Sequence, residues 1–318
     1  MGQKQVAYTG LSENTEPETC DKIEEKIKDA LERNPSGVVV TLGTDAMEQI
    51  ARRLDNEKMR ELLVRKNSKL ILTAANDDIS NPQTDAWNNL EFALDCASGD
   101  APSGVYVAFH QRLIPAEKVV KRPFDNNDTD MDYVALDDPE YSDAQQKQQE
   151  RNARLIAALE AKFGEQSPAE GIIEYPVNSI RQNHDELIDY ISAHSVRAVL
   201  LTLYHSGTAN TENPQMSVSA LVEKLRKDKG IVFFGATENG EPVNLRAYET
   251  SVKLRQAGVV PLYDMPKEVA LAKLRLIDAS AGPAQLITDM LTQKVGEIDE
   301  TMVIDEDIDA LQKLYKEN

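Results

Sequence analysis

The chain has 318 residues and a formal net charge of −19 at pH 7, with 54 acidic against 35 basic residues. This length is sufficient for two domains with sizeable cores. The acidic balance argues against nucleic acid or an anionic membrane surface as a partner, and no segment approaches the roughly eighteen consecutive apolar residues of a membrane-spanning helix. The opening residues lack the features of a signal peptide, so we expect a cytoplasmic protein.

Short apolar segments alternate with longer amphipathic ones in the N-terminal half of the chain. This alternation is typical of βαβ units and a mainly parallel sheet that is covered on both faces. The predicted order is helix 19–33, strand 37–42, helix 46–64, strand 69–75, helix 83–98 and strand 104–109.

The pattern fails over residues 124–150, which are acidic and rich in Asn and Gln and predict a loop with a short helix. A second series of strands and helices then follows. The predicted strands are 170–176, 197–204 and 230–236, and the predicted helices are 182–194, 214–229 and 245–257, with a final pair of helices over 266–292. We therefore expect an α/β fold with two doubly wound domains, a larger N-terminal one with a mainly parallel sheet and a smaller C-terminal one with a parallel sheet. The predicted boundaries are 1–137 and 170–298, with a connection over 138–169 and an acidic tail over 299–318.

The most informative junction is "GVVVTLGTDAMEQIARRL" at 37–54, where Thr44 and Asp45 stand between a predicted buried strand and a predicted helix. In open α/β sheets, ligands bind where the carboxyl end of a strand meets the N-terminus of a helix. The alternative is that Thr44 or Asp45 caps the helix.

This stretch resembles the Gly-Thr-Asp segment of the L-asparaginases, which hydrolyse asparagine to aspartate and ammonia. Further segments are similar to the same family and occur in the same order. They are 11–23, 70–94, 104–121, 203–210, 257–274 and 294–298. The C-terminal segments also resemble the related D subunit of archaeal glutamyl-tRNA amidotransferase. The resemblance implies an asparaginase-like fold over nearly the whole chain.

The resemblance places Thr44, Asp45 and Lys121 on the catalytic Thr-Asp-Lys triad of the family. The chemistry is reasonable, because a neutral lysine amine can accept a proton from a hydroxyl or from water while a neighbouring carboxylate orients it. Taken alone, "KVVKRP" at 118–123 also fits an ordinary solvated basic edge.

The resemblance also places Ser12 and Glu13 on the residues that hold the α-carboxylate and α-amino group of the substrate. An ionised Glu13 accepts hydrogen bonds and so suits an ammonium group. The same residues equally fit a helix start that Asn14 or Thr15 caps and Pro17 opens. Three further substrate-binding residues follow from the resemblance: Gly43, Ala75 and Asn210, the last approaching the site of a neighbouring subunit.

One feature of the family has no counterpart here. The asparaginases open with a strand that carries the motif Thr-Gly-Gly-Thr-Ile, whose first threonine is the acyl nucleophile. Thr9 lies too close to Thr44 to be that residue. The resemblance therefore implies that the strand comes from another polypeptide or an upstream start, or is not needed. It also implies that this chain, if complete, hydrolyses amides weakly or not at all, whereas a small zwitterionic amino acid can still bind.

Three hypotheses follow for the function. The first is an asparaginase-type amidohydrolase that needs no metal and no organic cofactor. The second is a non-catalytic protein that binds an amino acid or serves in a larger assembly, and the third is a gene fragment with an exposed apolar sheet edge. The expected partners are a small amino-acid substrate and further copies of the chain in a dimer or tetramer, with no nucleic acid and no membrane.

Overall fold

The computed structural model describes residues 4–123, 131–164, 171–177, 184–213, 215–238 and 240–316. The chain divides into two compact units, Met1–Ala144 and Gln145–Asn318. Each contains a four-stranded sheet, wholly or mainly parallel, which confirms the predicted α/β class. The two sheets have equal numbers of strands and the C-terminal unit is the longer, where we expected the larger sheet in the N-terminal domain.

The N-terminal unit begins with a 3₁₀ turn at Ser12–Asn14. Its helices and strands are α1 (Pro17–Leu31), β1 (Gly37–Thr41), α2 (Thr44–Leu54), α3 (Glu57–Lys66), β2 (Lys69–Thr73), α4 (Ala86–Ser98), β3 (Val105–Phe109), β4 (Arg112–Pro115), β5 (Val119–Pro123) and β6 (Met131–Ala135).

The main sheet of this unit has the order β1-β2-β3-β4. The first three strands are parallel, with Thr41 opposite Thr73 and Leu72 opposite Val107. Every residue of β2 is buried, whereas β1 lies at the sheet edge and its residues are partly exposed or exposed. Because parallel strands end at one edge of a sheet, the segments that follow β1, β2 and β3 lie along the same edge.

Helix α1 forms as the sequence predicts, with Ile23, Ile27 and Leu31 buried at a spacing of four residues. Pro17 occupies the first turn, where its missing N–H is not needed. The N-cap residue is Glu16, so the interpretation that Asn14 or Thr15 caps this helix is wrong.

The helix predicted over 46–64 is in fact two helices. Helix α2 ends at Leu54, and Asn56 starts α3 by accepting a hydrogen bond from the backbone N–H of Met59 at 3.1 Å. An Asn side chain at an N-cap satisfies one of the free N–H groups of the first turn, so the chain can begin a new helix in a new direction.

The strand series does not close at residue 109 as predicted. Strand β3 turns through His110 and Gln111 into β4, which pairs with it in the antiparallel direction. Strands β5 and β6 then form a separate two-stranded antiparallel sheet in which Lys121 lies opposite Tyr133.

A 25-residue helix, α5 (Pro139–Phe163), occupies much of the segment for which the sequence predicts a loop and a short helix. Its polar composition masks a short apolar stripe. Leu159 is buried in the core of the C-terminal unit, and Leu155 and Ile156 pack against the same core. The helix is therefore stabilised by tertiary packing on one narrow face.

The C-terminal unit contains β7 (Ile172–Pro176), α6 (Asp185–Ala193), β8 (Ala198–Leu203), α7 (Val218–Lys229), β9 (Val232–Thr237), α8 (Glu249–Ala257), β10 (Val259–Pro261), α9 (Lys267–Leu276), α10 (Pro283–Leu291) and α11 (Asp305–Lys316). Its strands are all parallel, in the order β10-β9-β8-β7. Alternate residues of β9 enter two separate apolar clusters, Phe234 with α9 to α11 and Phe233 with α6 to α8. The sheet is therefore covered on both faces, as in a doubly wound domain.

The acidic C-terminal segment is docked rather than a free tail. Tyr315 of α11 is buried, and its hydroxyl donates to the carbonyl oxygen of Gly258 at 2.9 Å. Asp307 at the start of the same helix pairs with Arg246 and Arg255, each at 2.7 Å. The sequence predicts a solvated tail because this segment is acidic, but the two arginines balance the charge of Asp307 and allow the helix to pack.

Candidate active site

The junction between β1 and α2 places Thr44 and Asp45 in the first turn of the helix. The N-cap position belongs to Gly43, whose backbone is extended (φ −77°, ψ 153°). The interpretation that Thr44 or Asp45 occupies the cap is therefore wrong. A carboxylate in the first turn is stabilised by the positive end of the helix dipole, which suits the buried position of Asp45.

Lys121 reaches this junction from β5. Its Nζ lies 2.7 Å from Asp45 Oδ1 and 3.3 Å from Thr44 Oγ1. The side chains of Lys121 and Asp45 are 1% and 9% exposed. The alternative of a solvated basic edge therefore does not hold for Lys121. An ammonium group in a buried pair donates to both partners, whereas a neutral amine could accept the proton of the Thr44 hydroxyl.

Two side chains of α2 fix the backbone of β5. Glu48 Oε2 accepts a hydrogen bond from the N–H of Lys121 at 2.9 Å, and Arg52 donates to the carbonyl oxygen of Val119 at 2.8 Å. Glu48 and Arg52 also pair with each other at 3.1 Å. These residues lie four and eight positions after Thr44, so they share its helix face. That spacing is the sequence feature by which Glu48 could have been found.

Tyr133 closes the site from β6. Its hydroxyl donates to the carbonyl oxygen of Thr44 at 2.5 Å, and its ring packs edge-on against Phe109 with centroids 5.1 Å apart. Burial raises the pKa of Tyr133 well above its usual value, and the charges of Asp45 and Glu48 raise it further. The phenol therefore stays protonated and acts as a donor. Sequence reasoning missed Tyr133, because its partner is a backbone carbonyl rather than a motif.

The N-terminal segment reaches the same junction through Ser12. A methyl group placed on Gly43 would meet Ser12 Oγ at 2.6 Å and Ser12 Cβ at 2.7 Å, so the contact requires glycine. Glu13 and Asn14 are buried beside it, at 7% and 3% exposure. Ser12, Gly43, Thr44 and Asp45 thus meet at one place, with Glu13 next to them in the chain.

Ala75 follows β2 at the same sheet edge. The loop that contains it is held by Asp85, whose carboxylate accepts the backbone N–H of Asn76 at 2.9 Å and of Asp77 at 3.3 Å. Asn89 of α4 donates both to Asp85 at 2.8 Å and to the carbonyl oxygen of Ala74 at 3.1 Å. The loop is therefore fixed by side chains that precede and begin α4.

Asn210 belongs to the C-terminal unit, and its role in substrate binding stays a prediction. Its side-chain oxygen accepts the N–H of Glu212 at 3.2 Å, and its Nδ2 is buried without a hydrogen-bond partner among the described residues. His205, earlier in the same loop, pairs through Nδ1 with the buried Glu241 at 2.9 Å.

The described residues were also compared with the requirements of a membrane span and of a metal site. No helix within the described ranges has both the length and the apolar character needed to cross a bilayer. Among the same residues, no group of three or more His, Cys, Asp or Glu side chains is placed to hold a metal ion.

Comparison with known proteins finds a family match for the N-terminal part of the chain. Residues 3–131 match the family model described as "Asparaginase, N-terminal". This part of the chain is similar to the N-terminal domain of the asparaginases. The match covers β1 to β5, and with them Ser12, Glu13, Thr44, Asp45 and Lys121.

Two relatives of the chain are described as the D subunit of glutamyl-tRNA(Gln) amidotransferase. The protein from Sulfurisphaera tokodaii is 28% identical over 309 residues, which is 92% of this chain and 65% of the relative. The protein from Saccharolobus solfataricus is 28% identical over 319 residues, 95% of this chain and 67% of the relative. The chain thus spans about two thirds of the length of the curated relatives it matches.

Solved asparaginase structures align over most of the chain at low similarity. The thermostable L-asparaginase from Thermococcus kodakarensis has a TM-score of 0.36 and 20% identity, covering 90% of this chain and 82% of that one. L-asparaginase I from Vibrio cholerae has a TM-score of 0.36 and 19% identity, covering 91% and 83%.

Proposed function

We propose that this chain binds a small amino acid with a side-chain amide, L-asparagine or L-glutamine, and hydrolyses that amide to the acid and ammonia. The observation that carries the proposal is the reach of Lys121 Nζ to both Thr44 Oγ1 and Asp45 Oδ1 in a buried position at the sheet edge. Ligands of open α/β sheets bind at such edges.

The proposed chemistry uses the three side chains in different roles. Lys121 pairs with Asp45 as an ammonium group in the resting site and, once it has released that proton, accepts another as a neutral amine from the Thr44 hydroxyl or from a water molecule beside it. The deprotonated oxygen attacks the amide carbon, and the C–N bond breaks as the proton on Lys121 passes to the departing nitrogen, which leaves as ammonia. Where the attacking oxygen is that of Thr44, a water molecule that Lys121 deprotonates then attacks the resulting ester, which releases the acid and returns the proton to the Thr44 oxygen. Asp45 orients Lys121 and offsets its charge, and it also accepts a hydrogen bond from the substrate ammonium group.

The amino-acid end of the substrate is assigned to the Ser12 turn. The Ser12 hydroxyl can donate to the α-carboxylate, and the Glu13 carboxylate can accept from the α-ammonium group. The close approach of Ser12 to Gly43 supports this assignment, because it brings the turn to the first residues of α2. Ala75 and, from a neighbouring copy of the chain, Asn210 complete the proposed set of substrate contacts.

A second candidate function is that of a subunit in a larger assembly. The relatives from Sulfurisphaera tokodaii and Saccharolobus solfataricus are named as amidotransferase subunits, which favours it. In such an assembly the amide hydrolysis proposed above would supply ammonia to another subunit. We further propose a cytoplasmic location and a homo-oligomer, a dimer or a tetramer.

The free side of β1 is the proposed place for an added strand. In the described residues β1 pairs with β2 alone, although its valines form an apolar run. Unpaired edges of this kind accept further strands by backbone hydrogen bonding. The strand that carries the family motif Thr-Gly-Gly-Thr-Ile would add a second hydroxyl to the site from this position, whichever polypeptide supplies it.

The direct test is ammonia release from L-asparagine and L-glutamine, compared between the wild-type protein and Thr44→Ala. We expect the weak ammonia release of the wild type to fall to the uncatalysed background in this variant, because the substitution removes the hydroxyl that Lys121 activates. Thr44→Ser, which keeps a hydroxyl, is the control and should retain much of the rate. Equal rates in wild type and Thr44→Ala would contradict the proposal. Binding of L-aspartate without any ammonia release would favour the non-catalytic alternative.

A further inference from the structure

His110 has an unusual backbone conformation for its residue type. It is the first residue of the two-residue turn between β3 and β4, with φ of 43°, and Gln111 follows with φ of 61°. Two-residue turns with positive φ at both positions favour Asn and Gly, and a non-glycine residue there is strained unless its surroundings hold it. One such contact is the backbone N–H of His110, which donates to Asn89 Oδ1 at 3.1 Å.

The imidazole ring of His110 lies between two carboxylates from different elements. Its Nε2 is 3.4 Å from Asp85 Oδ2, in the loop before α4, and its Nδ1 is 3.4 Å from Asp132 Oδ1, in β6. Asp132 is nearly fully buried and also pairs with Arg112 of β4 at 2.8 Å. Asp85, Asp132 and Arg112 thus place charged groups around His110 from the loop before α4, from β6 and from β4.

Each of the two carboxylates supports a different side of the proposed active site. Asp85 holds the loop after β2 through the N–H groups of Asn76 and Asp77, next to Ala75. Asp132 precedes Tyr133 and accepts its backbone N–H at 2.8 Å, while the Tyr133 hydroxyl bonds to Thr44. His110 thus contacts the anchors of both sides, although it does not touch the triad.

We propose that His110 is a positioning residue that, as an imidazolium, ties the loop after β2 to β6 and so fixes the two sides of the amino-acid site. An imidazolium carries a positive charge that attracts both carboxylates, each of which lies 3.4 Å from a ring nitrogen, whereas the neutral ring has lost that charge. Loss of the proton therefore weakens the connection between the two sides. That the connected site binds an amino acid rests on the proposed function. The connection that His110 makes between the loop after β2 and β6, called the tie below, does not depend on it.

The direction of the pH effect follows from the same contacts. The Asp132 carboxylate beside Nδ1 raises the pKa of His110, and Asp85 adds to this effect, although burial opposes it. A group with a raised pKa contributes its stabilisation fully at pH values below the unfolded pKa and loses it as the pH rises through the folded pKa. The tie is therefore present in mildly acidic solution and is lost towards alkaline pH.

The first measurement is amide hydrogen exchange at Asn76 and Asp77, expressed as protection factors from about pH 5.5 to about pH 8.5. In the wild type we expect protection to fall as the His110 ring resonances titrate. In His110→Asn, which tolerates the positive φ of the turn but carries no charge, protection should not change with pH. Asp85→Asn should also remove the dependence. Protection at Ile71, which lies inside β2, is the internal control.

The second measurement is L-aspartate binding across the same pH range. We expect the dissociation constant to rise several-fold with deprotonation in the wild type and to stay constant in His110→Asn, with circular dichroism showing both to be folded. Identical protection profiles in the two proteins would overturn the tie. Absence of aspartate binding with the predicted protection profiles would overturn the proposed function and leave the tie standing.

Discussion

The ammonium group of Lys121 lies 2.7 Å from the carboxylate of Asp45, and both side chains are buried. The two residues are far apart in sequence, yet Glu48 and Arg52 of α2 bind the β5 backbone and bring this pair together. A buried ion pair gains little net stability over an apolar pair of the same shape, but removal of one partner leaves an uncompensated charge. Such a pair is therefore consistent with the chemical role proposed for it.

Replacement of Lys121 by Met should lower the free energy of unfolding by about 3 to 5 kcal/mol, because Asp45 then remains buried without its partner. Chemical denaturation followed by circular dichroism measures this change. Lys118→Met is the matched control, since Lys118 is in the same strand region but pairs with Asp137 at the exposed surface. It should leave stability nearly unchanged. A loss of similar size in both variants would contradict the account.

Tyr133→Phe should lower the free energy of unfolding by about 1 kcal/mol and weaken L-aspartate binding, because the Thr44 carbonyl loses its hydrogen bond. Tyr106→Phe is the control. The Tyr106 hydroxyl also donates to a backbone carbonyl, that of Pro102, but at the surface. Thermal denaturation and calorimetric titration of both variants test this prediction, and an effect on binding in Tyr106→Phe alone would contradict it.

Gly43→Ala should weaken L-aspartate binding at least about tenfold, because the added methyl group displaces Ser12 from the start of α2. Gly282→Ala offers a matched control at another helix N-cap with negative φ, where no atom lies within 4 Å of the added methyl group. Titration calorimetry should show unchanged binding in that control. Unchanged binding in Gly43→Ala would remove Ser12 from the site.

The two sides of β1 should differ in amide hydrogen exchange. The N–H of Leu42 donates to Thr73 in β2 at 3.0 Å, so the N–H groups of Val38 and Val40 face the same way and those of Val39 and Thr41 face the open edge. We expect Val39 and Thr41 to exchange faster than Val38 and Val40. A partner polypeptide that adds a strand should protect Val39 and Thr41 selectively. Equal protection of all four amides in the protein alone would show that the edge is already covered.

Asp307 should give the C-terminal unit an acid-side dependence of stability. Burial raises the pKa of Asp307, but Arg246 and Arg255 together lower it more, so the net pKa lies below the usual value. Its stabilisation is therefore present at neutral pH and is lost as the pH falls through the folded pKa. Asp307→Asn should destabilise at pH 7 and flatten this dependence in acid denaturation, whereas Asp309→Asn, on the exposed side of α11, should do neither.

The elements that the sequence predicts well are those with strong apolar patterns. The buried strand β2 and the amphipathic helix α1 appear at the expected positions, because their side chains pack on one core whatever surrounds them. The β3–β4 turn was missed because His110 and Gln111 lack the Asn-Gly chemistry typical of such turns, and long-range contacts hold it instead. Helix α5 was missed because few of its residues are apolar.

The candidate site shows the same division. Thr44 and Asp45 are predictable, since a strand end followed by a helix start marks a ligand position in α/β folds. Lys121 could be placed through its resemblance to a known motif. Glu48, Tyr133, His110, Asp85 and Asp132 could not, because their partners are backbone groups or residues far away in the chain. Tertiary contacts of this kind leave no local pattern in the sequence.

Calorimetric titration of the 318-residue protein with L-aspartate tests most directly whether the Thr44–Asp45–Lys121 site holds a small zwitterionic amino acid. The account predicts saturable binding with one site per chain, weakened at least about tenfold in Ser12→Ala, because that variant loses the hydroxyl proposed to donate to the α-carboxylate. Absence of binding at millimolar L-aspartate, or equal binding in wild type and Ser12→Ala, would contradict it.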